Sequence, residues 1–213
     1  MQLTKHVHAC VTLAKSEDRI IIDPGSLTPN ASELIAGTET VLITHEHFDH
    51  FHEEAIAVAL ATRPELRVYG PISVVERWST YGEQVVAVAE GDRFSAAGFD
   101  VAVFGGLHAS IHADIPRVTN VGYLIDDHLY HPGDAYHVPP TPVSTLLLPT
   151  SGPWTKLGEA VDFVRAVNPV RVIQIHEIML SEIGQESTAM FLSPKMLTSV
   201  ALTIVPVGET IDV

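Results

Sequence analysis

The stretch Thr44-His45-Glu46-His47-Phe48-Asp49-His50 decides how the rest of this 213-residue chain is read. It follows directly on Val41-Leu42-Ile43, an apolar run with the composition of a buried strand. Between His45 and His50 stand three imidazoles and the Asp49 carboxylate, with Glu46 between the first two histidines. At a strand end, such a loop can aim all four side chains into one pocket. Neutral imidazole with carboxylate suits divalent zinc, iron or manganese. One loop then offers more ligands than a single tetrahedral ion takes from one segment. The spacing therefore points to two adjacent ions, with His45 and His47 on one and Asp49 and His50 on the other. A solvated His-rich turn is the bland alternative, and it fits poorly beside an apolar strand.

Working outward, the same arrangement recurs. Residues 101–104 lead to His108, residues 129–130 lead through His131-Pro132-Gly133 to Asp134, and residues 172–175 end at His176. Ligands at the same end of several strands converge without distorting a fold. Apolar runs between turn residues predict further strands at 7–13, 19–22, 40–44, 67–69, 85–89, 92–95, 100–104, 121–125, 128–130, 145–148, 170–175, 201–205 and near 210–213. Helical periodicity predicts helices over 53–61, roughly 72–79, and 156–167, the last with Leu157, Ala160, Val161, Val164 and Val167 on one face. The second half repeats the plan of the first, and no polar linker divides them. The expectation is one α/β domain over residues 1–213, with large, mainly antiparallel sheets covered by helices.

Composition narrows the function classes. Hydrophobic residues make up 46% and charged residues 18%, which suits a globular core. Lys plus Arg is 12 and Asp plus Glu is 26, so the formal charge is −14. A body this acidic repels phosphate backbones and anionic membranes, so neither nucleic acid nor membrane is an expected partner. The single cysteine, Cys10, excludes a disulfide framework and is expected to be a small core residue. The start, Met1 to Cys10, has no apolar segment with a cleavage site, and the expected location is cytoplasmic. Of the 12 histidines, His6, His8, His52, His112, His128 and His137 read as packing or surface. No Gly-x-Ser-x-Gly elbow, Walker loop or dinucleotide fingerprint is present.

The set Thr44 to His50, His108, Gly133-Asp134 and His176 resembles the metallo-β-lactamase superfamily, as does Asp23-Pro24-Gly25 after an apolar strand. Gly106-Leu107-His108-Ala109-Ser110 and Asn120-Val121-Gly122-Tyr123-Leu124-Ile125 are similar to a branch of small stand-alone hydrolases that includes the ascorbate-6-phosphate lactonase type. The resemblance implies a four-layer αβ/βα sandwich with metals at the edge between the two sheets. It implies His45, His47 and His108 on one metal, Asp49, His50 and His176 on the second, and Asp134 as the bridge. His112 lies four residues beyond His108 and competes with it. His108 is preferred because it follows its strand directly.

The implied cofactors are two divalent ions, zinc foremost, with Mn2+ or Fe2+ as alternatives. The implied chemistry is hydrolysis of a small ester, lactone or phosphoester by a bridging hydroxide, with Asp49 and Asp134 as catalytic carboxylates. Asp23 is expected either to orient a ligand imidazole or simply to form a turn. His131 and His137 flank Asp134 as rim residues. Tyr136, His137, Trp154, Lys156, Arg117 and residues 179–190 are candidate substrate contacts. The alternative activity is that of a mononuclear iron oxidoreductase of the dioxygenase type on the same fold. The partner is a small molecule, and the oligomeric state is not legible.

Overall fold

Strands that are apolar at every position need cover on both faces. That requirement explains the architecture. The computed structural model describes residues 1–213. One sheet contains β1 (Gln2–Lys5), β2 (Val11–Lys15), β3 (Asp18–Ile22), β4 (Thr40–Leu42), β5 (Arg67–Gly70), β6 (Val85–Ala87) and β14 (Thr210–Asp212). The other contains β7 (Arg93–Ala96), β8 (Phe99–Phe104), β9 (Gly122–Ile125), β10 (Leu129–His131), β11 (Thr145–Pro149), β12 (Arg171–Ile175) and β13 (Leu202–Thr203). The orders are β14-β1-β2-β3-β4-β5-β6 and β13-β12-β11-β10-β9-β8-β7.

Alternate residues of each strand sort into two layers. Ile20, Ile22, Val101, Ile125, Leu147 and Ile173 share one core between the sheets. Ile21, Val41 and Val68 point the other way, onto Ile56 and Leu60 of α2 (Glu53–Thr62) and Ile35 of α1 (Ala31–Ala36). Leu124, Leu146, Leu148 and Val172 likewise meet Val161 and Val164 of α4 (Leu157–Val167). The result is the four-layer αβ/βα sandwich expected from the resemblance. Cys10 lies in the core beneath α2, and no helix is long and apolar enough to cross a membrane.

The sheets are mixed rather than mainly antiparallel. Pairs β14–β1, β1–β2 and β2–β3 are antiparallel, whereas β3–β4, β4–β5 and β5–β6 are parallel. In the second sheet β7–β8, β8–β9 and β9–β10 are antiparallel, and β10–β11, β11–β12 and β12–β13 are parallel. A helix between two strands carries the chain back to the starting edge, which makes the strands parallel. α1 and α2 do this after β3 and β4, and α4 does it after β11.

Three elements escaped the sequence reading: β1, α1 and α5 (Glu182–Phe191). The expected helix over 72–79 is a single turn, α3 (Ile72–Val75), followed by tighter winding over Glu76–Gln84 that is interrupted at Gly82 (φ 57°). The hairpin at Asp126-Asp127 forms as read. Both residues have positive φ, as a two-residue turn matched to strand twist demands.

These directions position the site. β1, β3 and β4 run one way in the first sheet, and β8, β10 and β12 share one direction in the second. Their C-terminal ends meet at one edge of the sandwich. There the sheets are joined by hydrogen bonds from Val121 N to Thr44 O (2.9 Å), Tyr123 Oη to Ile43 O (2.8 Å) and His176 N to His8 O (3.0 Å).

Candidate metal centre

Each strand that reaches this edge delivers one piece. The loop after β4 carries His45, His47, Asp49 and His50, β8 leads to His108, β10 to Asp134, and β12 to His176. Ligand-type atoms of His45, His47 and His108 lie within 4.8 Å of one another, as do those of His45, His50 and Asp134. A further group is His8, Asp49, His50 and His176. Asp134 sits between them. Its Oδ1 is 3.2 Å from His50 Nε2, and its Oδ2 is 3.1 Å from His176 Nε2 and 3.4 Å from His108 Nε2.

Behind this set, Asp23 organises the loop. It accepts hydrogen bonds from Thr44 N (2.8 Å) and Thr44 Oγ1 (2.7 Å), and its Oδ2 lies 2.7 Å from His50 Nδ1. Thr44 Oγ1 is in turn 3.0 Å from His45 Nδ1. One buried carboxylate thereby orients two imidazoles, so Asp23 is more than a turn former. Gly25 is required in the same turn. A Cβ there would fall on the Asp49 carbonyl, so the ligand loop packs directly on the glycine. Asp23→Ala is expected to weaken metal binding 10- to 100-fold, about the usual cost of losing such a partner. Titration of the metal-free variant against a competing chelator measures this.

The residues fit metal ions on an observation independent of any family. His50 Nε2, His108 Nε2, His176 Nε2 and Asp134 Oδ1 are buried and make no hydrogen bond. They approach one another without aligning as donors and acceptors. Buried polar atoms without partners are costly, and a cation among them removes that cost. The remaining ring nitrogen is committed where it matters: His108 Nδ1 donates to Ala109 O (2.6 Å). His131 has both nitrogens committed, to Ala9 O (2.9 Å) and Gly133 N (3.1 Å), and so serves as support.

Electrostatics agree. Burial pushes His45 and His47 below the ordinary imidazole pKa, which keeps them neutral and able to donate a lone pair. Burial opposes charge on His50 too, but Asp134 and Asp23 overcome it and hold its pKa well above that value. Burial likewise opposes ionisation of Asp134, yet His50 and His176 hold its pKa well below the carboxylate range. Asp49 is lowered to about 2 against the effect of burial, by the hydrogen bond from His8 and the charge on His50.

His8, which the sequence allows either to face the pocket or to pack as a half-buried residue, stands at the cluster. Its Nε2 is 3.1 Å from Asp49 Oδ2, and its ring lies 3.7 Å from that of His176. His8, Asp23 and His176 all adopt positive φ (65°, 51° and 56°), a strained conformation for such side chains. The expected strand at 7–13 begins only at Val11, so His8 lies in the loop just beyond β1, the position at which the other candidate residues also stand. His8→Ala is expected to lower affinity for a metal at Asp49 by about tenfold or more, while leaving His45, His47 and His108 ordered.

The other candidates separate. His112 is exposed and receives a hydrogen bond from Asp114 N, so it stands outside the cluster that His108 joins. Trp154 is buried at the site and donates through Nε1 to Asp134 Oδ2 (2.9 Å). Tyr136 and His137 do not line the metal cavity. Tyr136 packs behind Trp154 and donates to Pro149 O, and both residues face a separate depression on the protein surface. Lys156 pairs with Glu159, and Arg117 donates through Nε to His108 O.

An edge of this kind on a sandwich of this layering is the metallo-β-lactamase arrangement. The family described as the β-lactamase superfamily domain matches residues 2–176, and the chain belongs to it. It is 37% identical over 186 residues to Rv0786c of Mycobacterium tuberculosis, covering 85% of this chain and 86% of that one. It is 28% identical over 211 residues to a UPF0173 metal-dependent hydrolase of Myxococcus xanthus, covering 88% and 74%. In structure it is similar to Igni18, a metallo hydrolase of Ignicoccus hospitalis, with a TM-score of 0.74, 20% identity and coverage of 99% and 97%.

Proposed function

We propose that this metal-dependent hydrolase of the metallo-β-lactamase fold uses two divalent ions, zinc foremost, to hydrolyse a small ester, lactone or phosphoester. The observation that carries the proposal is the convergence of unpartnered buried nitrogens on Asp134. His45, His47 and His108 would hold one ion, Asp49, His50 and His176 the other, and Asp134 would contact both. Bound there, such ions polarise a substrate oxygen and acidify a water.

The chain's own residues supply the rest. Asp49 stays ionised near neutral pH and is partly open to the cavity, so its free edge can accept a hydrogen bond from a water and orient it. His8 fixes that carboxylate from behind. Trp154 holds one oxygen of Asp134 and shields it from solvent. Asp23 and Thr44 keep the ligand imidazoles in one tautomer.

Elemental analysis of protein prepared without chelators or a His tag, paired with ester and phosphoester turnover, tests the proposal. About two zinc or manganese ions per chain with turnover supports it. One iron per chain with oxygen consumption would replace it with the dioxygenase alternative. Protons compete with metal for every imidazole, and His50 must release its proton to bind. Metal content and activity are therefore expected to fall together as pH drops from about 7 to 5. Metal retained in full at pH 5 would contradict the assignment.

A further inference from the structure

The metal cleft opens into a cavity of about 580 Å3. Beyond the metal-binding side chains, its wall is chiefly Leu27, Phe48, Ile111, Trp154, Ile178 and Met179. Phe48, Ile178 and Met179 are 65%, 46% and 67% exposed at its mouth. No lysine or arginine lines it, and the charged side chain there outside the ligand cluster is an anion, Glu46. On adjoining segments Lys5 is buried against Glu177, Lys156 pairs with Glu159 on the surface, and Arg117 gives its Nε to the His108 carbonyl and lines a separate, much smaller depression beside His47 and His108.

A carboxylate or phosphate remote from the reacting bond would be desolvated against these side chains without a partner, which is strongly unfavourable. A hydrocarbon group would gain by covering the same surface. We propose that the part of the substrate remote from the scissile bond is uncharged and apolar, so that the substrate class is a neutral acyl ester or lactone. This inference rests on the hydrolase proposal and narrows it: it excludes phosphorylated lactones, which the sequence resemblance alone would admit. In the reaction, water adds its oxygen to the acyl carbon, the acyl C–O bond breaks, and the departing alcohol oxygen takes a proton. No further reactant is needed.

The test uses the zinc-loaded protein with p-nitrophenyl acetate, butyrate and hexanoate, and with mono-p-nitrophenyl adipate as the charged counterpart of the hexanoate. Full burial of a methylene group is worth about a fourfold gain in kcat/KM. A severalfold rise from acetate to hexanoate is therefore expected, with the adipate at least tenfold below the hexanoate. A flat series, or an adipate as good as the hexanoate, overturns the inference and leaves the hydrolase proposal standing. Calorimetry with hexanamide and adipic acid monoamide reads the cavity without chemistry. If no ester turns over but hexanamide binds in preference, with a negative heat-capacity change, the hydrolase proposal fails and the apolar class survives. If neither amide binds, the inference fails. Phe48→Ser and Met179→Ser are each expected to narrow the hexanoate-to-acetate ratio at unchanged elution volume. A shifted elution volume with an unmoved ratio would mean that the patch covers a second copy of the chain, and it overturns the inference.

Discussion

Asp134→Ala is expected to strip the centre of metal and to lower kcat/KM by more than roughly 1000-fold, the scale set by losing several kcal/mol of charge stabilisation. The reason is geometric. Asp134 is the one carboxylate whose two oxygens face both groups of histidines, and it is almost fully buried. Its loss leaves His50, His108 and His176 converging on an uncompensated void. Asp134→Asn separates shape from charge. It preserves an oxygen for Trp154 Nε1 but supplies no anion, and it is expected to be nearly as damaging. Metal per chain and turnover, measured on variants whose circular dichroism is unchanged, decide the matter. A variant with full metal and full activity would remove Asp134 from the site. His47→Ala is expected to behave similarly, and His108→Ala to cost far more metal than His112→Ala.

The largest expected effect on stability is at Lys5. Its side chain is 2% exposed, donates to the carbonyls of His6 and His8, and lies 3.0 Å from Glu177 Oε1. The same Glu177 oxygen receives His8 N at 3.3 Å, while Oε2 has no partner. Lys5→Ala leaves the Glu177 carboxylate without its cation and the His6 carbonyl without a donor, while the His8 carbonyl keeps only His176 N. Removing one member of a buried pair costs about 3–5 kcal/mol, and urea unfolding should report a loss of that size. Replacing both partners, as Lys5→Met with Glu177→Leu, is expected to recover most of that stability. It should not recover metal affinity, because the pair also pins the strained backbones of His8 and His176 that face each other across the two sheets. Recovery of both properties would show that the pair acts on stability alone.

Much of the site was legible because its signal is local. His45 to His50 stand directly after an apolar strand, and His108, Asp134 and His176 each follow another. A polar, ligand-type residue at the end of a buried strand is visible without knowing what packs on that strand. That the sheets are covered by helices was legible for a similar reason, whereas the four-layer order came from the family resemblance. Runs such as Leu146-Leu147-Leu148 and Ile20-Ile21-Ile22 have no polar face and demand cover on both sides. Helix α5 was missed because it buries no side chain fully, so its apolar residues form no clean stripe. β1 was missed because Gln2 and Thr4 leave only Leu3 and the unexpected Lys5 to mark its buried side.

Helix-covered sheets, the candidate ligand loop at His45 to His50 and the order of the other candidate residues were readable before the fold was known. Those follow from composition and spacing over a few residues. It took the folded chain to show that each sheet is half parallel, that His8 stands behind Asp49, that Trp154 donates to Asp134, and that Tyr136 and His137 face elsewhere. These depend on strand direction and on contacts such as His8 with Asp49, 41 residues apart, or His176 N with His8 O across the two sheets. Packing of distant segments sets such contacts, and no local pattern encodes them.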